Sequence, residues 1–189
     1  MNRIYYLLPL PLKNTSASLV GFLKSRAKYG KEFNTYYNKL LNDSFKISTG
    51  EEINRFLKHA AIGSNFYSEF KGRSIKGFPI ITKEDIIKAG YSNQIGKAFK
   101  IVYSSGTTGT PFKVPLSKEA YQREYAFWWY HRNMAGIEKG DKVATICGHK
   151  VTSININKPP FWVYNYYENQ LIFSSYHLSE NNMGYYVYE

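Results

Sequence analysis

The sequence predicts an α/β fold, with a helical N-terminal lead-in over residues 1–98 and the first part of a sheet subdomain over residues 99–189. Three observations carry this. Apolar residues in the first third recur at helical spacing behind cap signals. From Lys100 onward, short runs rich in β-branched and aromatic residues alternate with a helical pattern. Gly, Pro, Asn and Asp punctuate these runs at short intervals.

Taken in order, Ile4 to Leu12 is apolar but interrupted by Pro9 and Pro11. It is too brief for a membrane span and lacks the small-residue cleavage site of a signal peptide. Ser18 to Leu41 reads as a basic, aromatic-rich helical stretch broken near Gly30. Ser48-Thr49-Gly50-Glu51 resembles a capping box, and Ile53, Phe56, Leu57, Ala60 and Ala61 behind it share a helical face. Thr82 and Asp85 can cap a second helix reciprocally, with Ile81 and Ile86 at the positions of a hydrophobic staple. Ile101-Val102-Tyr103 and Phe112-Lys113-Val114 read as short strands on either side of a polar loop. Ser117 caps a helix running through Tyr121, Tyr125, Trp128 and Trp129 to Gly136. Gly140-Asp141 turns into a strand from Lys142 to Ile146, and Gln170 to Ser174 forms another.

Composition narrows the function. The net charge is +11, spread without any block of five or six like charges, so no arm for nucleic acid is indicated and no nucleic-acid partner is expected. A diffuse positive field suits anionic small molecules such as nucleotides, or weak contact with an acidic membrane surface. Cys147 is the single cysteine, which excludes an internal disulfide and fits a reducing, cytoplasmic setting. In that setting the sequon Asn14-Thr15-Ser16 carries no meaning. Cys147 and His149 stand two apart on a predicted strand, hence on one face, but no further ligand accompanies them and no metal site is expected. The Trp128-Trp129-Tyr130-His131 run has the spacing of a packed helix.

The densest chemistry lies between the first two strands. Ser104, Ser105, Thr107, Thr108 and Thr110 supply hydroxyls, Gly106 and Gly109 allow positive φ, and Lys113 adds a charge at the exit. Such a loop can turn several N–H groups and hydroxyls toward one polyphosphate. It is neither a Walker A loop, since Pro111 stands where the second Gly belongs, nor a Gly-x-Gly-x-x-Gly fingerprint. On composition alone, a polar hairpin connection is the competing interpretation.

Ser-Ser-Gly-Thr-Thr-Gly-Thr-Pro at 104–111 resembles the phosphate loop of adenylate-forming enzymes, the superfamily of acyl-CoA synthetases and phenylacetate–CoA ligases. Phe78 to Asp85, Leu57-Lys58-His59-Ala60 with Phe66-Tyr67, and Gly136 to Val143 are similar to segments of those ligases in order and spacing. Lys158-Pro159-Pro160-Phe161-Trp162, Phe173 to Ser179, and the opening Ala27-Lys28-Tyr29-Gly30 with Phe33 resemble the CapK-like proteins of capsular polysaccharide biosynthesis.

The resemblance implies an ATP- and Mg-dependent ligase that activates a small carboxylate as an acyl-adenylate, with coenzyme A as one acceptor. By position, Ser105, Gly106, Thr107, Thr108 and Gly109 would hold the β- and γ-phosphates. Lys113 departs from the pattern: many members place Lys directly after the Pro, and here Phe112 intervenes, which turns the Lys to the other face of a strand. His177, ahead of a helix capped by Ser179, stands where related enzymes border their acyl pocket; a His satisfied at a strand end is the plainer interpretation. Asp141 would shape the turn into its strand. The resemblance also implies a longer enzyme, whose remaining part supplies an acidic residue for Mg, an Asp for the ribose and a C-terminal domain with a catalytic Lys. This chain alone is therefore expected to lack adenylation activity and to await a missing C-terminal half. The alternative class is a non-catalytic remnant, or a basic module that binds anions or membranes.

Overall fold

The computed structural model describes residues 3–42, 49–90, 98–104 and 113–188. Within them, helices precede two small sheets, a mixed α/β arrangement. Contacts divide the chain into two units interleaved in sequence, 1–30 with 131–189 and 31–130.

The first unit holds α1 (Arg3–Leu7), α2 (Leu10–Lys28), β3 (Val143–Cys147), β4 (Trp162–Asn165), β5 (Gln170–Ser174) and α7 (Met183–Val187). Its sheet runs β3-β5-β4, with β3 parallel and β4 antiparallel to β5. Two of these elements depart from the sequence expectation. The helix expected from Ser18 starts at Leu10, because Pro9 and Pro11 occupy its cap and first turn, where a missing N–H costs no helical hydrogen bond. Strand β4 was not anticipated at all.

Helix α2 packs on β4 through a stripe of small and polar residues. Asn14 Oδ1 accepts from the Tyr164 N–H at 2.9 Å, and Ser18 Oγ accepts from the Tyr166 N–H at 2.9 Å. The match is geometric: four helical residues rise about 6 Å and two strand residues advance about 7 Å. The stripe continues through buried Gly21 and Ser25 to Lys28, whose Nζ lies 3.0 Å from Glu168 Oε1. Asn14 is thus a buried structural acceptor, which removes the sequon from consideration. Phe161, Trp162 and Phe173 form the core of this unit, with Ile156, Leu171 and Tyr186 packed against it. The Tyr186 hydroxyl donates to the Ser174 carbonyl at 2.6 Å, and burial raises its pKa.

The second unit holds α3 (Lys31–Leu41), α4 (Thr49–Gly63), α5 (Lys83–Lys88), the strands β1 (Lys100–Tyr103) and β2 (Lys113–Leu116), and most of α6 (Lys118–Met134). Helices α3 and α6 are joined by polar contacts, and each buries apolar residues, Phe33 on α3 and Ala126 and Trp129 on α6. Buried Gln122 accepts from the Glu32 N–H, and Arg123 donates to Glu32 Oε2 at 3.0 Å while lying over the Tyr36 ring. Ser117 caps α6 as expected, its Oγ accepting from the Ala120 N–H at 3.1 Å. In α4, Leu57 and Ala61 are buried, but Phe56 is 69% exposed. Its position lies about 100° around the helix from Leu57, off the buried stripe. Ser48 of the anticipated capping box lies outside the described residues.

Helix α5 carries the reciprocal cap expected from its sequence. Thr82 Oγ1 accepts from the Asp85 N–H, and Asp85 Oδ2 accepts from the Thr82 N–H at 2.9 Å and its hydroxyl at 2.7 Å. The bond from the Thr82 backbone, then that from its hydroxyl, holds the Asp85 carboxyl below its ordinary pKa. A depressed carboxyl favours the folded helix start above its unfolded pKa and releases it as pH falls through the folded one. In an acid titration followed by NMR, the Thr82 amide should hold its position through the ordinary Asp range and move only below it. A transition centred on the usual Asp value would contradict this box.

Candidate functional site

The loop at 104–113 is held at its two ends. Strands β1 and β2 pair antiparallel, with Lys100 opposite Leu116 and Tyr103 opposite Lys113. β-Branched and aromatic residues, Ile101, Val102, Tyr103 and Val114, make these short strands favourable. Their pairing brings Tyr103 and Lys113, the two ends of the intervening segment, face to face across the ladder. Behind the hairpin, Lys100 Nζ contacts the Tyr121 hydroxyl at 3.2 Å and sits 4.5 Å from its ring centroid. Phe99 packs against the same ring, so the hairpin is tied to α6.

Of the residues assigned to phosphate binding, Ser104 and Lys113 are described, and both are exposed at the mouth of this hairpin. Ser105, Gly106, Thr107, Thr108, Gly109 and Thr110 lie outside the described residues. The donor chemistry of the segment fits an anion: it carries hydroxyls and two glycines and no acidic residue. Among the described residues, no group of three or more His, Cys, Asp or Glu is placed to hold a metal ion.

His177 belongs to the first unit. It is buried, its ring stacked on Phe161 at 4.8 Å and 10°. Nδ1 lies 3.0 Å from Ser174 Oγ and Nε2 lies 3.1 Å from the Ser153 carbonyl oxygen. Both ring nitrogens are engaged, so Nε2 donates to the carbonyl and Nδ1 accepts from the serine hydroxyl in the neutral ring. The residues after it form a 3-10 turn, Glu180–Asn182, before α7, and Ser179 makes no side-chain cap bond there. Asp141 does shape its turn: Oδ2 accepts from the Glu138 N–H at 2.7 Å beside Gly140, whose φ of 110° suits only glycine. Strand β3 ends at Cys147, which leaves His149 in the following bend and not on the strand. Trp129 is buried, whereas Trp128 is 44% exposed.

One polar line escaped the reading of the sequence. Lys28, Glu168, Asn165, Gln170 and Thr145 connect in series: Lys28 to Glu168 at 3.0 Å, Asn165 to Glu168 at 3.2 Å, Asn165 to Gln170 at 3.5 Å, and Gln170 to Thr145 at 2.8 Å. The available signal was the repeat of Asn14, Ser18, Gly21, Ser25 and Lys28 at helical spacing. A search for apolar stripes passes over such a pattern.

Among the described residues, no helix is long and apolar enough to cross a membrane. The chain is similar to Protein CapK from Staphylococcus aureus, 28% identical over 202 residues. The similarity takes in 99% of this chain and 45% of that protein, so the chain spans about half the length of its relative. No protein-family model matches the sequence. No solved structure matches it either.

Proposed function

We propose that this chain is the nucleotide-phosphate-binding portion of an adenylate-forming ligase, one that activates a small carboxylate with ATP in surface-polysaccharide synthesis. The observation that carries this reading is the run Ser104 to Lys113, rich in hydroxyls and glycine, between paired strands whose ends face each other. The similarity to Protein CapK along nearly the whole chain supports it.

In this reading, ATP supplies the leaving pyrophosphate, with its Mg ion bound alongside. The chain's own contribution is electrostatic. N–H groups of 105–109 and the hydroxyls of Thr107 and Thr108 meet the β- and γ-phosphate oxygens, where charge accumulates as the carboxylate displaces pyrophosphate. The pairing of β1 with β2 fixes the separation of the segment's two ends. Lys113, exposed at the exit, contributes field more than a fixed contact.

The test is nucleotide binding by the purified chain. ATP should raise the melting temperature, and T107A/T108A should weaken binding at least about tenfold, since hydrogen bonds to charged groups contribute roughly 1.5–3 kcal/mol each. Equal, salt-sensitive stabilisation by any polyanion, unchanged in T107A/T108A, would replace this reading with that of a basic anion-binding module.

A further inference from the structure

A second candidate site lies within the first unit, and it does not rest on the reading above. Helix α2 sits over β4, and beside it a cleft of about 460 Å³ opens above β3 and β5. That volume falls in the range of small-molecule sites. Its inner surface is apolar, formed by Val20, Val151, Val163 and Ile172. The polar line from Lys28 to Thr145 runs along one side, and its members satisfy one another.

The charges are unbalanced. Three lysines, Lys24, Lys28 and Lys150, line the cleft against a single acid, Glu168. Lys28 is paired with that acid. Lys24 and Lys150 are exposed and form no ion pair with any described residue. An apolar interior under two unmatched cations complements one kind of molecule, an apolar body ending in an acidic head.

We infer that this cleft binds a small amphipathic anion, its apolar body between α2 and the sheet and its head group at Lys24 and Lys150. A carboxylate and a phosphate monoester present the same chemistry to the two lysines.

Cys147 makes the test direct, because it lines the cleft, is part-exposed and is the single cysteine of the chain. Its rate of alkylation by N-ethylmaleimide, an uncharged reagent, would be measured in the full chain with octanoate, octyl phosphate or octanol. Octanoate, octyl phosphate or both should slow alkylation roughly fivefold at about four times their Kd, as simple occupancy requires. Slowing by one alone identifies the head group; slowing by both shows that a single negative head suffices. Octanol at the same concentration should protect far less. K24Q/K150Q, with its own unliganded rate as baseline and its fold checked by circular dichroism, should need roughly five- to tenfold more anion for the same protection, the range for exposed charge contacts. Equal protection by octanol, no protection by either anion, or unchanged protection in K24Q/K150Q would each overturn the assignment. An ATP-binding result at 104–113 leaves these outcomes untouched.

Discussion

Phe161→Ala should destabilise the first unit by about 3–5 kcal/mol, the range for emptying a fully buried aromatic position. Phe161 is wholly buried, and it is the ring around which the others are arranged. His177 stacks on it at 4.8 Å, Tyr186 lies parallel at 6.1 Å, and Trp162 and Tyr185 meet it edge-on. Its carbonyl also accepts the Ser174 N–H at 2.8 Å, a bond the substitution leaves intact. The effect therefore isolates the side chain. Domains of this kind are typically stable by about 5–15 kcal/mol, so the loss would leave a substantial unfolded fraction near 37 °C. Urea unfolding should show a lowered midpoint, and Phe161→Leu should recover about half of the loss by refilling part of the cavity. An unchanged midpoint for Phe161→Ala would mean that the aromatic cluster does not hold the sheet.

Gly21→Ala should also destabilise, by about 2–3 kcal/mol, against the usual trend for a helical glycine. In an exposed helix interior the change would gain about 1 kcal/mol from propensity. Here the new Cβ would stand 2.5 Å from Asn165 Nδ2 and 2.6 Å from Oδ1. Asn165 cannot easily yield, because it is buried and bonded to Glu168 and Gln170. Either α2 lifts from the sheet or the polar line breaks, and overpacking of this kind typically costs about 1–3 kcal/mol before any lost hydrogen bond is counted. Gly63→Ala is the control, since nothing lies within 4 Å of its Cβ position. Thermal melts of the two variants should move in opposite directions or differ by several degrees. A stabilised Gly21→Ala would show that α2 does not approach β4 so closely.

The difference between these two glycines shows what the sequence could and could not disclose. Local signals were legible. The break at Gly30, the caps at Thr82 and Ser117, the turn at Asp141 and strand β5 all appear where short-range chemistry requires them. Features set by distant partners were not. Strand β4 carries no clean alternation and follows two prolines, and it exists because β5 pairs with it. The buried face of α2 is made of Asn14, Gly21 and Ser25; Asn and Ser ordinarily mark a solvent face, and Gly adds no apolar signal. Phe56 looked like core on helical spacing, yet it points away from the partners Leu57 finds. Composition and resemblance singled out the segment proposed to bind phosphate, while the cleft beside α2 gave no sequence signal, because its lining comes from α1, α2 and three strands far apart in sequence.

The bond between Asn14 and Tyr164 joins residues 150 positions apart. During synthesis, at about 5–20 residues per second, α2 would wait roughly 8–30 s for the strand that receives it. Leu12, Leu19, Val20 and Leu23 remain open to solvent even in the finished fold, so the nascent helix emerges with an apolar flank and no partner. Residues 10–28 are therefore open to chaperones and proteases on the ribosome throughout that interval.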